Sequence, residues 1–105
     1  MTYEKFLEIL NSSGIPFRYH HFNQGKGPLP IPRGVYMFED ADSVYADGIT
    51  VMLIDNLRIE LYTAKKDIDT ENKLENVLTA AEIPFKKVDE VYIESEKLYM
   101  IVYEI

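Results

Sequence analysis

His20 and His21 are the only imidazoles in a chain that carries eighteen carboxylates and no cysteine. Neighbours on an extended backbone point to opposite faces, so the two rings do not converge easily on one metal. With no third imidazole and no thiolate, the ligand set of a zinc site is incomplete. The carboxylates include Asp40, Asp42, Asp47, Asp55, Asp67, Asp69 and Glu71. An acid–base pair needs two of them in a water-poor cleft that drives their pKa values apart. Most fall instead at turns, helix caps or the solvent side of strands, where each has a local structural reason. Asp40-Ala41-Asp42-Ser43 opens like a calcium loop but lacks the later ligands and the glycine of the sharp turn. Gly25-Lys26-Gly27 is too short and too close to prolines to cradle a phosphate, and no Walker loop, Rossmann glycine pattern or nucleophile elbow occurs. These residues imply no catalytic group, no bound metal and no cofactor.

Aromatic contact surface is more conspicuous than reactive chemistry. The chain holds eight tyrosines and five phenylalanines but no tryptophan. Tyr36, Tyr45, Tyr62, Tyr92, Tyr99 and Tyr103 all fall on expected strands. They read either as core-edge residues or, for a subset, as a subunit interface, where tyrosine is enriched.

The elements that position these residues follow from the hydrophobic pattern. Residues 2–12 read as a short amphipathic helix with Thr2 as cap, Phe6, Ile9 and Leu10 at helical spacing, and Gly14 beyond its end. Residues 15–22 look extended. Residues 23–33 form a stiff loop with Pro28, Pro30 and Pro32 on alternate positions; that spacing is not P-x-x-P. Residues 34–39 are a strand whose continuous run, Val35 to Phe38, implies burial on both faces. Asp47-Gly48 marks a turn. From Ile49 to Leu61 the odd positions are apolar except Asp55, which predicts one long strand over 49–63, bent near Asp55-Asn56; a hairpin turning there is the alternative.

Asp67 caps a helix over 67–81, with a stripe of Leu74, Val77, Leu78 and Ala81 that Ile68 can join. Residues 88–94 and 98–105 make the closing hairpin. The last strand is apolar on both faces, which requires a cover of helices on one side and of helix or second subunit on the other. A faint echo links Leu10 with Ile15-Pro16-Phe17 and Leu78 with Ile83-Pro84-Phe85, at equal spacing.

At 105 residues this is one domain, 1–105, of the α+β class: a mainly antiparallel sheet with two helices packed against it. No apolar run approaches the roughly 20 residues of a membrane span, and the first residues do not read as a signal peptide. The absence of cysteine fits a reducing compartment. A net charge of −7 argues against sequence-specific nucleic-acid binding, which needs lysine and arginine against phosphate.

Several segments together resemble the small tail-completion proteins of long-tailed bacteriophages and their prophages. They are Val44-Tyr45-Ala46-Asp47, Arg58-Ile59-Glu60-Leu61-Tyr62-Thr63, Lys65-Lys66-Asp67 with Glu71, Tyr92-Ile93-Glu94-Ser95-Glu96 and the finish from Leu98-Tyr99 to Val102-Tyr103-Glu104-Ile105. The element order is similar to that of tail-terminator proteins, and the likeness covers about the last 70 residues. It implies a non-enzymatic virion protein, assembled in the host cytoplasm as a homo-oligomeric ring, commonly a hexamer. Such a ring caps the tail tube and joins the head, so its partners are itself, the tail-tube protein and a head-completion protein.

A ring needs a heterologous interface. Tyr45, Asp47, Arg58, Glu60 and Tyr62 are the candidates, because Arg58 and Glu60 alternate with apolar positions and should face away from the helices. Two other classes compete with this reading. One is a small regulatory or inhibitor module binding a host protein by edge-strand or sheet-face contacts. The other is a ligand binder or enzyme on the same scaffold, which would show a deep pocket with convergent carboxylates.

Overall fold

The computed structural model describes residues 3–19, 30–38 and 57–105. Tyr45, Asp47, the histidine pair, most of the proline loop and the first half of the expected long strand lie outside the described residues. Within them the chain runs α1 (Tyr3–Asn11), β1 (Phe17–Tyr19), β2 (Arg33–Phe38), β3 (Leu57–Thr63), α2 (Ile68–Ala80), β4 (Lys86–Ile93) and β5 (Leu98–Glu104). The strands form one sheet in the order β1-β2-β3-β5-β4. Every pairing is antiparallel except β1 with β2, which is parallel. The fold is therefore α+β with a mixed, mostly antiparallel sheet. The parallel pair is possible because about a dozen residues separate β1 from β2, enough for a crossover.

Both helices lie on one face of the sheet. Phe6 and Leu10 of α1 and Leu74 and Leu78 of α2 join Ile59, Leu61, Ile101 and Tyr103 in one core, all at 0% exposure. The period-2 alternation of β3 is what delivers Leu57, Ile59 and Leu61 to that face. Asp67 caps α2 as its position implies: its carboxylate accepts from the Thr70 N–H at 3.1 Å and from the Thr70 hydroxyl at 2.7 Å. Those two bonds hold the Asp67 carboxyl below its ordinary pKa.

Two expectations need correction. Ile68 does not join the stripe and is 61% exposed. It lies six residues before Leu74, about 120° round the helix from it. Thr70 and Glu71, four and three residues before Leu74, take the buried first-turn positions instead. The run Val35 to Phe38 is not buried on both faces either. Tyr36 and Phe38 are buried against the helices, whereas Val35 and Met37 are only half-buried on the other side.

Candidate interaction surface

The face of the sheet turned from the helices is built from the alternate residues of the same strands. Register places its side chains in rows across β2, β3, β5 and β4. One row is Val35, Glu60, Val102 and Asp89; the next is Arg33, Tyr62, Met100 and Val91; the third is Met37, Arg58, Glu104 and Lys86. Three of the five interface candidates, Arg58, Glu60 and Tyr62, are thus brought together, and they point away from the helices as their spacing predicts.

Their geometry is more ordered than a solvated polar face. Glu60 is only 9% exposed. It accepts from Arg58 Nε at 3.0 Å and from the Tyr62 hydroxyl at 2.8 Å, one donor to each carboxylate oxygen. The Arg33 guanidinium lies 5.5 Å from the Tyr62 ring centroid, a cation–π contact. Burial pushes the Tyr62 phenol far above its ordinary pKa, and the bond to Glu60 adds to that. The phenol is therefore a fixed neutral donor, and the cluster works as a tie between positions two apart on one strand. Around it the face is apolar and half-buried at Val35, Met37, Leu98 and Met100. Val102 is 1% exposed yet lies outside the helix-side core. β5 is thus apolar on both faces, as its sequence requires.

A second polar cluster ties α2 to the β4 edge on the helix side. Glu71 is 2% exposed. Lys66 Nζ stands 2.8 Å and Lys87 Nζ 2.7 Å from its two oxygens. Lys87 also reaches Glu75 at 3.1 Å, Lys66 reaches Glu90 at 2.5 Å, and the Tyr103 hydroxyl donates to Glu75 at 2.8 Å. Burial alone would raise the Glu71 carboxyl; the two ammoniums outweigh it and hold its pKa below the ordinary value. In the sequence Glu71 stood only as one of many carboxylates with a local structural reason, not as the centre of an ion cluster. The signal was there in the spacing of Lys65-Lys66 and Lys86-Lys87 on either side of an acidic helix, but only the sheet register shows which lysines meet it.

A shallow groove between the helices is lined by Lys5, Ile9, Ser12, Val77, Ala80 and Ala81. Among the described residues no group of three or more His, Cys, Asp or Glu side chains is placed to hold a metal, and no helix is long and apolar enough to cross a membrane. No protein-family model, curated protein or solved structure matches the chain.

Proposed function

We propose that this chain is a structural, non-enzymatic virion subunit that assembles into a homo-oligomeric ring at the end of a phage tail tube. The observation that carries the reading is the sheet face turned from the helices. On it the rigid Arg58–Glu60–Tyr62 tie is bordered by half-buried methionine and aliphatic side chains. A pre-ordered polar group within an apolar surround is the arrangement of an interface, where rigid tyrosine and arginine anchors cost little entropy on binding. Ring contacts on this face would leave the helices free to meet the tube protein or the head-completion protein. The resemblance to tail-terminator proteins supplies the particular assembly, and the charge of −7 suits a lumen through which DNA slides without sticking.

The test combines assembly with tail morphology. Met100→Lys places a cation on this face, and Tyr62→Ala removes its anchor. Expected are folded variants that no longer form rings by negative-stain microscopy and give tails of uncontrolled length. Normal tails that still join heads in both variants remove this face from the assembly. A second reading, a module that binds a foreign protein by strand addition, is favoured by one observation, the exposed edge strand β4.

A further inference from the structure

The geometry points to the outer edge of β4 over residues 90–93 as a strand-pairing site for a second copy of this chain. The site stands apart from the ring reading, which concerns the sheet face. Among the described residues strand β4 closes the sheet on one side, and it is exposed along seven of its eight residues. Val91 is 37% and Tyr92 48% exposed.

The phase of the ladder decides which backbone groups face outward. The Ile105 N–H donates to the Leu57 carbonyl at 3.0 Å, so odd residues at this end of the chain turn their backbone toward β3. Antiparallel pairs alternate, so the even residues of β5 turn toward β4. Asp89, Val91 and Ile93, which pair with Val102, Met100 and Leu98, therefore bond inward. Glu90 and Tyr92, paired with Ile101 and Tyr99, turn their N–H and C=O groups to the edge. An independent contact agrees: the Glu90 N–H is taken by its neighbour's carboxylate, Asp89 Oδ1, at 2.8 Å.

The two halves of this edge differ in how far they resist pairing. The first half carries Lys86, Lys87 and a register shift between Lys87 and Asp89, the devices that keep edges single. Past Asp89 the ladder is regular and the side chains are Glu90, Val91, Tyr92 and Ile93, one charge among three apolar or aromatic groups.

Register then selects the occupant. In an antiparallel pair of identical strands, a residue on the twofold axis faces itself. An axis at Glu90 sets two carboxylates against each other, and an axis at Tyr92 sets Glu90 against Glu94; both are penalised. An axis at Val91 opposes Val91 to Val91 and Glu90 to Tyr92 of the second copy. In that register the outward groups of Glu90 and Tyr92 exchange N–H···O bonds in both directions. No like charges meet among these residues. Asp89 acts as a guard on this contact, because its carboxylate must release the Glu90 N–H before the second strand can take it.

The chain has no cysteine, so one introduced thiol reports the contact without ambiguity. Residues facing each other in a non-hydrogen-bonded pair have Cα atoms about 4.5 Å apart, within reach of a disulfide. Val91→Cys is expected to oxidise to a linked dimer at least about tenfold faster than Ser95→Cys in the adjacent turn, given that geometry. In the unmodified chain the Glu90 and Tyr92 amides should gain protection from hydrogen exchange as concentration rises. Asp89→Ala should tighten the dimer about tenfold, because it frees two symmetric N–H groups worth about 0.5–1 kcal/mol each. Equal oxidation of the two cysteine variants, or amide exchange at Glu90 and Tyr92 that ignores concentration, overturns the proposal. So does protection of these amides by an unrelated extended peptide while the chain stays monomeric. A ring built through the sheet face leaves both amides unprotected, so either proposal can fail without the other.

Discussion

Leu10 and Leu78, in the last turns of α1 and α2, have no exposed surface, and five residues later Ile15 or Ile83 re-enters the core at 3% exposure. Each isoleucine is followed by proline and phenylalanine, and each phenylalanine packs on the core margin. Between them the backbone turns left-handed at the same position, Gly14 with φ 81° and Glu82 with φ 60°. The second junction closes by a direct bond, the Ile83 N–H donating to the Leu78 carbonyl at 2.9 Å. At the first, a hydroxyl stands between the same two partners. Ser13 Oγ donates to the Leu10 carbonyl at 2.6 Å and accepts from the Ile15 N–H at 3.2 Å. One steric requirement, burying a leucine and an isoleucine across a tight stop, is met by two hydrogen-bonding solutions.

The strands beyond the two junctions differ more. The first junction feeds β1, three residues fastened by rings: Tyr19 lies 5.3 Å from Tyr36 and 6.1 Å from Phe38, centroid to centroid. The second feeds β4, eight residues fastened by ions through Lys66, Glu71, Lys87 and Glu75. Aromatic packing needs no pair of opposite charges, whereas an ion cluster holds only while both signs persist. The two edges of one sheet therefore depend on solution conditions in different ways.

If the junctions share their core role, Leu10→Ala and Leu78→Ala should be the costliest changes and similar in size. Each leaves a cavity in the same cluster and should destabilise by about 2–5 kcal/mol. Chemical denaturation of both variants checks this. One variant melting like the parent protein would break the equivalence.

The shared junction was visible in the sequence as an equal spacing of Leu, Ile, Pro and Phe. So were the cap at Asp67 and the two-sided last strand, because each is a local pattern of residue type. That Arg58, Glu60 and Tyr62 point away from the helices was legible for the same reason: alternation on one strand fixes a face. Their mutual bonding was not, since nothing in a period of two says that a carboxylate will be held from both sides. The parallel entry of β1 and the meeting of Lys66 and Lys87 at Glu71 are long-range facts, decided by which strands become neighbours. Ile68 was misplaced because a helix stripe is easily extended by one apolar residue that lies a third of a turn off it.

The aromatic edge can be broken sterically. Gly34 opposes Phe17 in register, and a Cβ there would collide with the Phe17 ring. Gly34→Ala should cost about 1–3 kcal/mol through overpacking. The loss should appear first as faster amide exchange in β1, with β4 unaffected. Uniform loss of protection across the sheet would show that β1 is not a separable edge.

The ionic edge can be broken by acid. The Glu71 carboxyl is held below its ordinary 4.5, so its contribution is complete above about pH 4.5 and is lost as pH falls through the lower folded value. Lys87, raised above 10.5 in the fold, contributes fully below that value and loses its contribution as pH rises beyond it. Between those limits the cluster is intact. Glu71→Gln should cost about 1–2 kcal/mol at neutral pH, a figure kept low because both lysines are well exposed. The same change should flatten the acid limb of the stability profile. Thermal melts from neutral pH downward test both points. An unchanged acid limb would mean that other carboxylates govern acid sensitivity.

The smallest effects test the turn itself, and they should have opposite signs. Nothing stands within 4 Å of a Cβ built on Gly14, so Gly14→Ala meets no clash and its cost comes from φ alone. A left-handed conformation costs an L-residue about 1–2 kcal/mol, partly offset because alanine also narrows the unfolded ensemble. Glu82 already bears that strain at the second junction, exposed and with its N–H bonded to the Thr79 carbonyl at 3.0 Å. Glu82→Gly removes the strain and keeps the bond, but the unfolded chain gains freedom, so the net gain should be about 0.5 kcal/mol. Paired melts of the two variants read the difference directly. A loss in both would mean that the Glu82 side chain does something at its junction beyond occupying a left-handed position, and the likeness of the two turns would then stop at their backbone.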